Sequence, residues 1–214
     1  MTESLTVRST DGLALEAKLD EPDEPVGVVV MCHPHPRMGG TMNAPLMLAL
    51  RDALMESGRA VLRFNFRGIG ASEGESSTGT PEVSDAAGAI AWTRERFEAA
   101  LPLGLVGWSF GAAVALRAAS RDRSVAACVA IAPSIEAKEN VSEGLPDPED
   151  LDLSIPLLLV WGANDDVVSP ERCRSWAQSA GARYHEIAGA NHFFWGRYDE
   201  LCDVIVTFFE ETTG

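Results

Sequence analysis

Basic residues are scarce in this chain: 17 Lys and Arg stand against 32 Asp and Glu, for a formal net charge of −15. Nucleic-acid binding rests on Lys and Arg neutralising phosphates, so this balance argues against a nucleic-acid partner. Long apolar runs are missing as well. No segment approaches the about 20 apolar residues that a membrane helix needs. The opening Met-Thr-Glu-Ser-Leu-Thr-Val-Arg-Ser has no basic start followed by an apolar stretch, so neither a membrane span nor a signal peptide is expected. Paired cysteines are also lacking. Cys32, Cys128, Cys173 and Cys202 lie far apart with no C-x-x-C, which points to free thiols acting as small hydrophobes in a reduced, cytoplasmic protein. Repeats and low-complexity tracts are absent, and 214 residues suit one sizeable core but are marginal for two. Residues 1–214 therefore read as a single domain.

What the sequence does contain is an alternation of strands and helices. Leu5–Arg8 and Leu13–Leu19 read as a hairpin turned at Asp11-Gly12. Val26–Cys32 and Ala60–Phe66 are apolar runs of the kind buried on both faces of a sheet. Leu103–Gly107, Val125–Ala132, Ile155–Trp161 and Arg183–Ile187 continue the series. Between them, helices are expected from about Ala44 to Ser57, Pro81 to Ala99 and Ala112 to Ser120, with a last one over about Tyr198–Glu210. Such alternation implies an α/β fold, with a mostly parallel sheet flanked by helices on both faces. The one candidate insertion, Pro133–Ser154, is acidic and too short for a cap domain.

Gly107-Trp108-Ser109-Phe110-Gly111 matches G-x-S-x-G and falls between a buried strand and a helix. A sharp turn there lifts the serine hydroxyl above the sheet at a helix N-terminus, where the dipole favours developing negative charge. Serine is a weak nucleophile and needs a base held by an acid. Of the two histidines after Ser109, His185 lies inside a strand, while His192 sits in the loop just past it, so His192 is the candidate base. The acid should follow an earlier strand. Asp165 and Asp166 both do, and Glu136 in the preceding loop is a third candidate.

An oxyanion hole needs two backbone N–H groups. Phe110 supplies one by its place next to the nucleophile. The other should come from His33-Pro-His35-Pro-Arg37-Met-Gly-Gly, where Pro34 and Pro36 have no N–H to give. That leaves His35 or Arg37, with His35 preferred. His33 and His35 also stand two apart like a metal pair, but no ligand-spaced carboxylate or cysteine lies beside them. No metal and no cofactor are expected. Met38, Trp108 and Phe193, with Phe194, are candidates for a substrate pocket, although aromatics beside a tight turn equally suit core packing.

These residues resemble the α/β-hydrolase superfamily along nearly the whole chain. Cys32-His-Pro-His-Pro-Arg-Met-Gly-Gly-Thr-Met-Asn43, with Phe64-Asn-Phe-Arg-Gly-Ile-Gly-Ala-Ser-Glu-Gly74, resembles a small lidless group of bacterial serine hydrolases related to dienelactone hydrolases. The resemblance implies a triad of Ser109, Asp165 and His192. It also implies a structural role for Asn65, Arg67, Gly68, Gly70 and Ser72, with Arg67 tying down neighbouring carbonyls. Dienelactone hydrolases use cysteine where this chain has Ser109, so their lactone substrate does not carry over. The expected activity is cleavage of small soluble carboxylic esters through an acyl-enzyme. A thioesterase or acyltransferase with the same triad, or a non-catalytic module of the same fold, are the alternatives. A small-molecule ester is the partner expected, and nothing in the sequence speaks to oligomeric state.

Overall fold

The computed structural model describes residues 1–214. The chain opens with the hairpin β1 (Thr2–Arg8) and β2 (Ala14–Asp20), turned where Gly12 takes a positive φ of 98°. The strands β3 (Gly27–Cys32), β4 (Arg59–Phe64), β5 (Leu103–Trp108), β6 (Val125–Ile131), β7 (Leu157–Gly162) and β8 (Arg183–Ile187) follow. Between or after them come α1 (Pro45–Glu56), α2 (Thr80–Arg96), α3 (Phe110–Ala119), α4 (Pro170–Ser179) and α5 (Tyr198–Thr213). No helix is long and apolar enough to cross a membrane.

The eight strands form one sheet in the order β1-β2-β4-β3-β5-β6-β7-β8. β1 and β2 pair antiparallel, β2 joins β4 antiparallel, and every other pairing is parallel. Helices cover both faces, α1 beside α5 on one and α2 beside α3 on the other. Hence β3, β4, β5 and β7 are buried at every position, as strands walled on two sides must be. In α5, Leu201, Cys202, Ile205, Phe208 and Phe209 form the buried stripe that helical periodicity demands. All four cysteines are free and buried.

The chain leaves β3 towards β4 on one side and returns to β5 on the other, so strand order reverses between β3 and β5. Ligands of open parallel sheets bind in the crevice at such a reversal, beyond the carboxyl ends of the strands. The loops after β3 and β5 carry His33–Met38 and Ser109.

Boundaries differ from the sequence expectation by a few residues. α3 starts at Phe110 rather than near Ala112, because the turn before it is a single residue, Ser109. β4 stops at Phe64, where Asn65 turns to donate its N–H to Glu16 O at 2.8 Å. The loop after β3 contains a 3₁₀ turn at Pro36–Met38. Pro133–Ser154 is a brace and not a cover. All seven of its acidic residues are exposed, while its backbone carbonyls take hydrogen bonds from the His35 ring, Arg37, Arg117 and Trp176.

The loop after β3 is also fixed from below. Arg63, fully buried, donates to Asp20 Oδ2 at 2.7 and 3.0 Å, to Met42 O at 3.1 Å and to Asn43 Oδ1 at 3.1 Å. Asn65 Oδ1 accepts from the Met42 N–H at 2.9 Å. Arg67 ties carboxylates and not carbonyls: its guanidinium reaches Asp85 at 2.7 Å and Asp11 at 2.9 Å. Burial still holds the Asp85 carboxyl above the ordinary range against that partner.

Candidate active site

The turn between β5 and α3 is built by close approach. A Cβ on Gly107 would stand 2.2 Å from Gly111 O, and one on Gly111 would stand 2.3 Å from both Cys32 O and His33 O. Only glycine fits at either position. Between them Ser109 holds φ 56° and ψ −112°, a conformation non-glycine residues seldom take outside sites that over-determine it. What over-determines it is visible. Its N–H donates to Ile131 O at 2.8 Å, and its carbonyl accepts from Ala112, Ala113 and Ser134.

His192 Nε2 lies 3.1 Å from Ser109 Oγ, and His192 Nδ1 lies 2.8 Å from Asp165 Oδ2. A carboxylate oxygen accepts, so Nδ1 carries the proton and Nε2 offers its lone pair to the serine hydroxyl. Asp165 is held rigidly, because its Oδ1 accepts from the N–H groups of Val167 and Val168 at 2.9 Å each. Two backbone bonds, Ala163 N–H to Ile187 O and Asn164 N–H to Ala190 O, stitch the turn of Asp165 to the loop of His192. The Asp165 side chain is 0% exposed and that of His192 is 6%. Asp166, the adjacent carboxylate, points to solvent. Glu136 lies at the surface in an ion pair with Arg172 at 2.7 Å.

The two histidines after β3 each use both ring nitrogens on backbone. His33 Nδ1 donates to Pro34 O at 2.7 Å, and its Nε2 accepts from the Phe66 N–H at 3.0 Å. Burial lowers the His33 pKa to about 4, so the ring is neutral. His35 Nδ1 accepts from the Arg37 N–H at 3.1 Å, which requires Nε2 to carry the proton it donates to Val141 O at 2.8 Å. The Arg37 amide is thereby engaged, whereas the His35 amide has no protein acceptor.

A cavity of about 320 Å³ opens over Ser109 and His192. Met38, Trp108 and Phe193 line it, and so do Trp195, Tyr198, Val167 and Pro45, which carried no motif in the sequence. None of its lining residues is Asp, Glu, Lys or Arg, and none comes from Pro133–Ser154. Phe194 is core, fully buried at a positive φ of 54°. Trp108 is 5% exposed, with its indole N–H unpartnered.

Comparison with known proteins agrees with this architecture. The X-Pro dipeptidyl-peptidase (S15) family matches residues 11–154. An uncharacterized protein of Rickettsia prowazekii is 31% identical over 198 residues, covering 88% of this chain and 80% of that protein. An alpha-beta serine hydrolase homologue from Coxiella burnetii superimposes with a TM-score of 0.83 at 31% identity, covering 96% of each chain. A serine hydrolase without lid from Xanthomonas campestris gives a TM-score of 0.83 at 27% identity, over 98% of this chain and 94% of the other. The chain belongs to the X-Pro dipeptidyl-peptidase (S15) family and is a hydrolase of the α/β-hydrolase superfamily.

Proposed function

We propose that this hydrolase is a carboxylesterase that cleaves small, soluble, uncharged esters through an acyl-enzyme on Ser109. The observation that carries the reading is the unbroken hydrogen-bond line from Ser109 Oγ through His192 to Asp165, opening into a cavity with no ionised lining. Ser109 Oγ attacks the ester carbonyl while His192 Nε2 takes its proton, and Asp165 stabilises the imidazolium that forms. The tetrahedral oxyanion is held by two amides. One is that of Phe110, which as the first residue of α3 has no acceptor within its own helix. The other is that of His35, unengaged and on the cavity wall. His192 then protonates the departing alcohol, and water, deprotonated by the same ring, releases the acid and regenerates Ser109.

The family's description favours a second reading, removal of an X-Pro dipeptide from a peptide. Such a substrate brings a free N-terminal ammonium into the site, and a buried ammonium needs a carboxylate partner. No Asp or Glu lines the cavity, which supports the ester over the peptide. A panel of p-nitrophenyl esters of increasing acyl length, with Ala-Pro-p-nitroanilide alongside and Ser109→Ala as blank, tests the choice. Ester kcat/KM should peak between acetyl and about hexanoyl, since each methylene adds only about 0.8 kcal/mol while wall remains to cover it. Faster turnover of the anilide, or of emulsified long-chain lipid than of butyrate, overturns the proposal.

A further inference from the structure

We infer that the wall made by Phe193 and Trp195 is a subsite for an aromatic ring, so that aryl esters are the preferred substrate class. The inference rests on the esterase reading and deepens it. Trp195 is 69% exposed and Phe193 40%, a large area of aromatic carbon left in water beside the buried His192 and Trp108. The two rings stack with centroids 5.0 Å apart and planes 17° from parallel. Phe193 is held in turn edge-on to His192, at 5.5 Å and 88°, and edge-on to Trp108, at 6.1 Å and 88°. The base and the floor of the cavity thus set the plane of Phe193, and Phe193 sets the plane of Trp195.

Phe193 covers one face of the Trp195 indole. The indole lines the cavity, and its other face has no aromatic partner. A flat ring laid on that face gains stacking beyond simple area burial, worth about two- to tenfold in affinity over an aliphatic group of the same size. Little ordering cost opposes it, because the platform is already oriented. Met38, which also lines the cavity, adds a polarizable thioether suited to a ring edge. The lining contains no charged side chain, so a carboxylate or ammonium on the substrate would enter without a partner. The ring is therefore an uncharged aryl group. It can belong to the acyl half or to the alcohol half of the ester.

The test compares wild type with Trp195→Leu on two matched pairs: phenyl acetate with cyclohexyl acetate, and methyl benzoate with methyl cyclohexanecarboxylate. The variant-to-wild-type ratio of kcat/KM cancels the intrinsic reactivity of each ester. In one pair the aromatic member should lose about two- to tenfold more than its cyclohexyl counterpart, and that pair tells which half of the ester lies on Trp195. Equal losses within both pairs overturn the subsite. A parallel NMR titration of methyl benzoate and phenyl acetate into Ser109→Ala, with and without Trp195→Leu, separates the two proposals. Trp195-dependent binding without turnover of any ester overturns the esterase alone. Turnover without aromatic preference overturns the subsite alone.

Discussion

Ser109, His192 and Asp165 stand on a floor where nearly every polar atom has a partner, whereas Met38, Phe193 and Trp195 form a rim that reaches into solvent. On the floor, a Cβ at Gly107 or Gly111 would strike backbone at 2.2–2.3 Å, and Asp165 accepts from three N–H groups. At the rim, Met38 is 77% exposed, tied by its backbone N–H to His35 O at 3.1 Å while its thioether side chain makes no hydrogen bond. The difference separates two kinds of constraint. The floor is over-determined, so a single change there should remove either chemistry or fold. The rim is held by packing on one side only, so changes there should tune which substrate is chosen.

The largest effects test the floor. Ser109→Ala should lower kcat by roughly a millionfold with an unchanged circular dichroism spectrum, and Asp165→Asn by on the order of a thousandfold or more. Asp166→Asn, one residue away but in solvent, should stay close to wild type in the same steady-state assay. A reversed ranking would move the acid to Asp166 and break the distinction between buried and exposed carboxylate.

His33 tests the floor through stability. Its pKa is about 4 in the folded chain, against about 6.5 for an unperturbed imidazole, because burial disfavours the charged ring. The unfolded chain therefore binds one more proton between these values. The neutral ring's contribution is complete above about pH 6.5 and is lost as the pH falls towards 4, amounting to about 3 kcal/mol. Urea unfolding at stepped pH should show this decline. A His33→Asn variant should start less stable but decline less steeply over the same window.

The smallest effect tests the rim. Met38→Ala should change kcat/KM for short esters by less than about fivefold, because an exposed side chain gives up only part of the burial worth of a few methylenes. It should leave kcat and thermal stability nearly unaltered. A loss comparable with that of Asp165→Asn would show that the rim belongs to the machinery.

Much of the floor was legible before the structure, because it is written in residue types that have few other uses. Two glycines around one serine, a histidine just past the last strand and prolines that remove competing amides each narrow the geometry. The adjacent pair Asp165-Asp166 was not decidable by residue type. The structure separates them by direction, one carboxylate turning inward onto the amides of Val167 and Val168. The rim was harder to read. Phe193, Phe194 and Trp195 are consecutive aromatics, and aromatics serve core and pocket alike. The positive φ at Phe194 drives its ring into the core while both neighbours remain outside. Arg67 was misread in its partners for a related reason, since Asp11 and Asp85 approach it only once the hairpin folds against α2.

Covalent labelling reports directly on whether Ser109 is the nucleophile. The protein is treated with phenylmethylsulfonyl fluoride at neutral pH, weighed intact and then mapped by peptide mass spectrometry. One adduct per chain is expected, on the peptide carrying Ser109, formed in step with loss of esterase activity and absent from Ser109→Ala. An adduct on another residue with Ser109 unmodified, or a Ser109→Ala protein that still turns over esters, would contradict that assignment.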